Sequence, residues 1–317
     1  MTQRTSDAAK EISRRLQLAM LLEVSAYPKP GNVHRTRDYS DTRFEHFVAS
    51  AVASGSYFEC AARNGALISK RKRSLEKAGI GCTIRDAIIS IMRSQRGGNT
   101  SLGTITLLVP LAVAAGMTFT GRGLSLSGLR RNLAIILRAT SVTDAVAFYD
   151  AVARAKPGGL GSVPTLDVRD PASRRKILNS RLSLLDVFRL AADRDSICSE
   201  WTTDYEITFG LGYPYLRREL SRTADINVAT VNTYLKILSE IPDTLIARKA
   251  GLQTTTWVSR RARKALALGG ANTNVGRKEI EKLDEDLRRN GHLLNPGATA
   301  DISAAVVALA TLSGYRP

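Results

Sequence analysis

The chain has 317 residues, of which 44% are hydrophobic and 24% are charged; this globular composition excludes a disordered or collagen-like protein. Its three cysteines lie far apart and form no CxxC pair, so the sequence indicates neither a disulfide framework nor a zinc knuckle. An excess of 46 Lys and Arg over 29 Asp and Glu gives a net charge of +17, which predicts attraction to a polyanion such as a nucleic acid, a phospholipid or a nucleotide.

Hydropathy gives no sign of a membrane span or a secretory signal. The longest apolar stretch, residues 104–117, is too short to cross a bilayer and contains Pro110. The polar residues 1–10 lack the apolar segment of a signal peptide. We therefore expect a cytoplasmic protein that does not enter a membrane.

Apolar residues recur at three- and four-residue spacing along most of the chain, which predicts helices. Period-two alternation is nearly absent, and the one strand candidate, residues 163–168, is short. No linker or repeat divides the chain, so we expect an all-α domain over residues 1–317, a bundle of roughly ten or more helices, although two lobes would also fit. The periodic segments are 12–24, 44–52, 84–92, 102–115, 129–137, 142–152, 184–192, 228–238, 258–268, 280–287 and 302–312.

Positive charge is concentrated between Arg63 and Arg96, where nine basic residues accompany two acidic ones. A run of this kind, residues 70–73, is more typical of a solvated loop between helices than of a phosphate-steering patch, and we favour the loop.

Residues 97–103, Gly-Gly-Asn-Thr-Ser-Leu-Gly, immediately precede a long apolar helix. Helix starts expose N–H groups with positive partial charge, and glycine allows close backbone approach, so this loop could hold an anion. It matches neither the Walker motif nor the GxGxxG fingerprint. A helix start capped by Asn or Thr is an equally good interpretation.

Three further loops carry charged residues beside Pro and Gly. Residues 29–35, Lys-Pro-Gly-Asn-Val-His-Arg, are followed by Asp38, Asp41 and Glu45, a mixture that suits a metal-bound polyphosphate but also an exposed helix terminus. Residues 295–301 end on Asp301, which opens the last predicted helix. Residues 243–251 begin with Asp243 and read, by themselves, as a helix cap.

Together and in this order, these loops resemble the motifs of the triphosphoribosyl-dephospho-CoA synthase family. Its KPGxV loop corresponds to residues 29–33, and its Asn-Thr-x-x-Gly helix start to residues 99–103. Its Asp-[Ser/Thr]…Arg-x-Gly turn corresponds loosely to residues 243–251, and its Pro-Gly-x-[Ser/Thr]-Ala-Asp motif to residues 296–301. Four motifs in register across most of the chain make the resemblance specific.

The sequence also departs from the family pattern. The bacterial enzymes of citrate lyase and malonate decarboxylase assembly have His-Lys where this chain has Ser101 and Leu102, and an aspartate where it has His34. Their Gly-Ala-Arg-Gly-Glu segment is reduced here to Pro-Gly-Gly-Leu-Gly at residues 157–161, with Asp167 a little later. The chain looks more like the branch found in archaea and one-carbon-metabolising bacteria, for which we assume no particular acceptor.

The resemblance implies an all-helical enzyme that uses Mg²⁺-ATP as a triphosphoribosyl donor and releases adenine. The acceptor would be a hydroxyl of dephospho-CoA or of another coenzyme precursor. Glycosyl transfer needs an acid or a base, and the sequence leaves Asp301 and Asp243 as alternatives. Asp38 and Asp41 are the candidate Mg²⁺ ligands. The candidate nucleotide and phosphate contacts are Lys29, Gly31, Asn32, Arg35, Gly98, Asn99, Thr100, Gly103, Arg248, Lys249 and Gly297.

Two alternatives to an enzyme remain from the residues themselves. The charge of +17 and the segment 221–238 are compatible with a nucleic-acid-binding helix-turn-helix, although Asp225-Ile-Asn-Val stands where a turn glycine is usual. A scaffold without activity is supported only by the scarcity of His and Cys nucleophiles. The oligomeric state is open, a homodimer included.

Overall fold

The computed structural model describes residues 3–119, 123–161, 163 and 165–317. In these residues the chain forms one helical domain with fourteen α-helices and no strand, which confirms the predicted all-α class. Residue 164, within the strand candidate 163–168, lies outside the described part. The helices are α1 (Gln3–Ser25), α2 (Phe44–Ser69), α3 (Ile80–Ser94), α4 (Leu102–Thr118), α5 (Leu126–Arg138), α6 (Val142–Ala155), α7 (Pro171–Asn179), α8 (Leu184–Arg189), α9 (Ser196–Thr202), α10 (Tyr213–Thr223), α11 (Ile226–Glu240), α12 (Thr244–Ala267), α13 (Asn274–Arg288) and α14 (Gly297–Leu312).

Helices α4 and α14 form the centre of the domain. Both are apolar on all sides, and nearly all of their side chains are buried. Because a helix of this kind is stable only when neighbours cover its whole surface, α2 and α5 pack on α4, and α1 packs on α14. A second, smaller apolar cluster joins α11, α12 and α13 around Tyr234 and Leu283.

Pro110 lies inside α4 and has no backbone N–H to offer the carbonyl of Thr106 one turn earlier. The indole N–H of Trp201 donates to that carbonyl at 3.2 Å, and the hydroxyl of Tyr205 donates to the next carbonyl, Leu107, at 2.9 Å. Both aromatic side chains are fully buried. The helix therefore tolerates its proline because α9 supplies the missing hydrogen bond.

The periodicity analysis did not predict helices α7, α9 and α10, because each contains few apolar residues. They start at side-chain caps or at proline rather than at long apolar stripes. The first half of α12 was missed because Gly251, with φ of +85°, kinks the helix and interrupts the spacing. Helix α14 begins at Gly297, so Asp301 lies in its second turn and does not open it.

Two surface expectations can be compared with the structure. Residues 70–73 form an exposed turn between α2 and the 3₁₀ turn Leu75–Lys77, as favoured from the sequence. Helix α11, the recognition helix of the helix-turn-helix alternative, is buried over most of residues 228–239. A buried helix has no face to place in a DNA groove, so this segment gives that alternative no support.

Over the residues that the structure describes, no helix combines the length and hydropathy needed to cross a bilayer.

Replacing Trp201 with Phe should lower the free energy of unfolding by about 1–3 kcal/mol, because the carbonyl of Thr106 would be left buried without a donor. Chemical denaturation measures this loss. The matched control is Trp257→Phe, since Trp257 is only partly buried and packs beside Arg261. Equal losses in the two variants would contradict the role given to the Trp201 hydrogen bond.

Candidate active site

A cavity of about 580 Å³ lies where the ends of several helices meet. Its wall includes Asn32 from the first candidate loop and residues 97–104 from the second. It also includes Arg248 and Lys249 from the start of α12, and Gly297 and Asp301 from the start of α14. All four loops singled out in the sequence therefore reach one cavity, although they lie far apart along the chain.

The cavity has a polar side and an apolar side. The polar side is formed by the end of α1, the loop before α2 and the starts of α4, α12 and α14. The apolar side comes from α6, the segment after it and α8. Its side chains include Phe148, Tyr149, Leu160, Leu166, Val187 and Phe188.

Asp301 lies on the polar side, between the two central helices. Its carboxylate accepts a hydrogen bond from the hydroxyl of Thr104 in the first turn of α4. Gly103 makes this approach possible, because a Cβ at that position would lie 2.0 Å from Oδ2 of Asp301. Burial raises the pKa of Asp301 to about 7, and the nearby charge of Glu23 contributes to the rise. Asp301 can therefore take up or release a proton near neutral pH.

Glu23, near the end of α1, is a second carboxylate in the cavity wall. It forms an ion pair with Lys29, whose side chain is fully buried and does not line the cavity. Nζ of Lys29 also donates to the backbone carbonyl of Glu23 at 3.0 Å. Sequence analysis missed Glu23, although a lone acidic residue in the apolar end of a predicted helix is a signal that could have found it.

Helix α13 holds the first candidate loop in place. The carboxylate of Asp284 accepts hydrogen bonds from the backbone N–H of Gly31 at 2.7 Å and from Arg37 at 2.6 Å. Arg288 donates to Asp284 and to the carbonyl of Asn32. Gly31 adopts φ of +70° and packs on α13, so it shapes the loop, whereas the neighbouring Asn32 lines the cavity.

The two aspartates predicted to bind Mg²⁺ do not lie together. Asp38 accepts a hydrogen bond from the backbone N–H of Phe44 at 2.8 Å and lies outside the cavity wall. Asp41 lines the cavity, and its Oδ1 is 2.6 Å from Nε2 of His292, a hydrogen bond that lowers the pKa of Asp41. Arg35 is exposed and packs over the ring of Tyr27, away from the cavity.

Gly98, Asn99 and Thr100 all line the cavity just before α4. The side-chain oxygen of Asn99 accepts from the backbone N–H of Leu102 at 3.1 Å, so Asn99 also serves the helix start. The hydroxyl of Thr100 is 2.7 Å from that of Ser50 on α2. These contacts fix the loop that leads into α4.

Arg248 connects two loops that border the cavity. Its guanidinium donates to the carbonyls of Gly159 at 2.9 Å and Arg194 at 3.1 Å, and it pairs with Asp195 at 2.8 Å. Lys249 donates to the carbonyl of His292 at 2.9 Å, and partial burial lowers its pKa. Both basic residues line the cavity while bound to neighbouring groups.

Asp243, the second acid or base candidate, is buried and does not line the cavity. Its Oδ1 accepts from the backbone N–H groups of Leu245 and Ile246, at the start of α12. Its Oδ2 accepts from the backbone N–H and the hydroxyl of Thr299, each at 2.8 Å. With both oxygens bound, Asp243 joins the starts of α12 and α14.

Some of the residues at which the chain departs from the family motifs line the cavity, and others do not. Ser101 and Leu102 line the cavity, but His34 does not. His34 is buried, and burial together with the charge of Lys29 lowers its pKa to about 4, so its ring is neutral at pH 7. The structure adds two exposed cations to the cavity wall that sequence analysis missed, Lys156 and Arg194.

Comparison with known proteins places the chain in a family. The model of the CitG family, ATP:dephospho-CoA triphosphoribosyl transferase, matches residues 9–317. The chain belongs to this family. It is accordingly a transferase of the triphosphoribosyl-dephospho-CoA synthase type.

Relatives named probable 2-(5''-triphosphoribosyl)-3'-dephosphocoenzyme-A synthase cover nearly the whole chain. One from Citrobacter koseri is 24% identical over 303 residues, 93% of this chain and 88% of the relative. Another from Stutzerimonas stutzeri is 25% identical over 311 residues, 96% of this chain and 93% of the relative. An Archaeoglobus fulgidus crystal structure, assigned as a triphosphoribosyl-dephospho-CoA synthase, shares the fold with a TM-score of 0.63 at 23% identity, covering 85% of this chain and 100% of its own.

Replacing Asp301 with Asn should make the protein more stable above pH 7. The folded state raises the pKa of Asp301 to about 7, whereas an unfolded aspartate titrates near 4. The folded wild type therefore holds a proton that the unfolded chain releases, and it loses stability as pH rises from about 4 to 7. The asparagine variant lacks this loss, so we expect it to gain on the order of 4 kcal/mol at pH 8 relative to pH 4.

Thermal denaturation at a series of pH values checks this expectation. Asp286→Asn is the control, because Asp286 forms surface ion pairs with Arg261 and Arg289. If the wild type and Asp301→Asn keep the same pH dependence of stability, Asp301 does not titrate near neutrality.

Proposed function

We propose that this cavity binds ATP and transfers its triphosphoribosyl group to a hydroxyl of dephospho-CoA or a similar coenzyme precursor, with release of adenine. The observation that carries the proposal is Asp301: a carboxyl that titrates near neutrality in the wall of a cavity to which all four family motifs contribute. We place the reaction in the cytoplasm, where the free cysteines of the described chain would stay reduced.

The two sides of the cavity suit two parts of the substrates. At about 580 Å³ the cavity lies in the size range of small-molecule sites. Its polar side, with Asn99, Thr100 and Lys249, offers hydrogen bonds and positive charge to the ribose and phosphates of ATP. Its apolar side, with Phe148 and Phe188, offers aromatic and aliphatic surface to a base and to an uncharged arm of the acceptor.

The residues of the polar side also fit Mg²⁺. The described residues contain no cluster of three His, Cys, Asp or Glu side chains that could hold a metal alone. Mg²⁺ usually needs fewer, because one or two carboxylates and the substrate phosphates complete its oxygen ligands. Asp41, at the cavity, can supply such an oxygen, whereas Asp38 lies outside the wall. Bound Mg²⁺ would neutralise charge on the phosphates.

The transfer exchanges one bond at C1′ of the ribose for another. The bond from C1′ to the adenine nitrogen breaks, and its electron pair leaves with adenine, which takes up a proton from water. The oxygen of the acceptor hydroxyl forms the new bond to C1′. Asp301 in its ionised form takes the proton of that hydroxyl, a role for which a pKa of about 7 is well matched.

Incubation with Mg²⁺-ATP and dephospho-CoA should yield free adenine, which chromatography separates from ADP and AMP. Asp301→Asn should slow adenine release by at least about 100-fold, because the amide cannot accept the proton. Asp286→Asn, at the surface pairs described above, should leave the rate unchanged. Release of ADP would instead indicate a kinase, and undiminished turnover by Asp301→Asn would remove this residue from the mechanism.

Kinetics against Mg²⁺ concentration separate the two predicted ligands. Asp41→Asn should raise the Mg²⁺ concentration for half-maximal adenine release by about tenfold, because a carboxylate at the cavity is lost. Asp38→Asn should leave it unchanged, since Asp38 contacts the start of α2. The reverse order would assign the metal to Asp38, and no change in either variant would exclude both residues as ligands.

A further inference from the structure

Lys29 is enclosed by protein and has no access to the cavity. Its side chain is 1% exposed and absent from the cavity wall. Its ammonium group pairs with the carboxylate of Glu23 and lies 5.9 Å from the centre of the Tyr234 ring. Reaching a phosphate group would require Lys29 to leave Glu23 as a buried charge without a partner, which is strongly unfavourable.

Glu23 is the member of this pair that reaches the cavity. It lies in the wall together with Asp301, and the helices that carry the two carboxyls, α1 and α14, pack against each other. The side chain of Glu23 is only 9% exposed, so a charge there acts in a medium of low dielectric. An ionised carboxylate in this position is a fixed negative charge in the cavity wall.

We propose that Lys29 is a positioning residue that keeps Glu23 ionised in the cavity wall, and that the Glu23 carboxylate stabilises the positive charge that develops on the ribose while its bond to adenine breaks. This inference rests on the proposed function. Glu23 forms no bond and moves no proton: the electron pair still leaves with adenine, and the hydroxyl proton still goes to Asp301.

The chemistry of the transfer favours such a charge. Glycosyl transfer passes through an oxocarbenium-like state, in which C1′ and the ring oxygen of the sugar become positive. A carboxylate held in place before the reaction stabilises that state without reorganisation. Asp301 is less suited to this task, because near neutral pH part of it is protonated.

Charged and titratable groups from three elements lie near Glu23. Lys29 follows α1, Asp301 comes from α14, and Tyr234 comes from α11. Burial raises the pKa of Glu23, and the ammonium of Lys29 works against that rise. Glu23 in turn helps to raise the pKa of Asp301. Loss of Lys29 should therefore allow Glu23 to become neutral at a higher pH than in the wild type.

The test measures adenine release from pH 6 to pH 9 for Glu23→Gln, Lys29→Met and the double variant. Glu23→Gln should lower kcat by about 100-fold above pH 7, where Asp301 is ionised with or without the charge of Glu23. Lys29→Met should be slow at pH 7 and regain rate at high pH, with the KM for ATP changed by less than about threefold. The double variant should be no slower than Glu23→Gln, because Lys29 acts through Glu23. Lys236→Met, which removes an exposed Lys–Glu pair on α11, is the matched control.

The inference is overturned if Lys29→Met raises the KM for ATP without changing kcat, and if its effect adds to that of Glu23→Gln. Lys29 would then be a phosphate contact. If Lys29→Met does not fold, the double variant, in which both members of the pair are neutral, still tests the inference. Slower turnover in the double variant than in Glu23→Gln alone would contradict the assignment of Lys29 as a positioning residue.

Failure of the proposed function is recognised separately, by a wild type that releases no adenine. Unfolding experiments then still test the ion pair. Between pH 6 and pH 9, Lys29→Met should lose more stability than the double variant, because only the former must bury an unpaired carboxylate. Equal pH dependence in the two would overturn the assignment of Lys29.

Discussion

The close approach of Asp301 to the first turn of α4 is the contact on which the site depends. Helices α4 and α14 are apolar on all sides and could pack against each other without any polar group between them. Gly103 leaves space for one carboxyl between them, and Thr104 donates a hydrogen bond to it. Protein therefore surrounds the carboxyl except where the cavity reaches it, and this burial raises its pKa to about 7. Packing of two highly apolar helices thus creates a carboxyl with a pKa near neutrality.

Buried carboxylates also fix the loops around this centre. Asp243 joins the starts of α12 and α14, and Asp284 holds the loop at Gly31 against α13. Each accepts several hydrogen bonds from backbone or arginine, which offsets the cost of burying a charge. The cavity is assembled by loops from distant parts of the chain, so anchors of this kind are what keep its polar groups in register. Arg248 likewise holds two loops that border the cavity, through hydrogen bonds to the carbonyls of Gly159 and Arg194.

The sequence was sufficient to predict the helices that carry long apolar stripes. It was also sufficient to predict that the four motifs come together, as they do at the cavity. The sequence could not decide between Asp301 and Asp243 as the acid or base, because both aspartates were predicted near a helix start. The structure shows that both carboxylate oxygens of Asp243 accept hydrogen bonds, one from the start of α12 and the other from Thr299. Sequence analysis assigned Lys29 to phosphate because the loop combines cations with carboxylates and matches a family motif. In the structure Lys29 is buried, paired with Glu23 of α1 and close to the Tyr234 ring of α11. Glu23 escaped notice because no motif surrounds it.

Glu23 and Asp301 show how one cavity can give two carboxyls different properties. Glu23 is buried and Asp301 is half-buried at the cavity, and loss of contact with solvent raises the pKa of each. The ammonium of Lys29 opposes the rise in the pKa of Glu23 with a full charge. The hydroxyl of Thr104 opposes the rise in the pKa of Asp301 with only a hydrogen bond. The charge on Glu23 then makes ionisation of Asp301 harder still. A lysine that does not line the cavity can thus influence the pKa of Asp301, because Lys29 favours the charged form of Glu23 and the charge of Glu23 raises the pKa of Asp301.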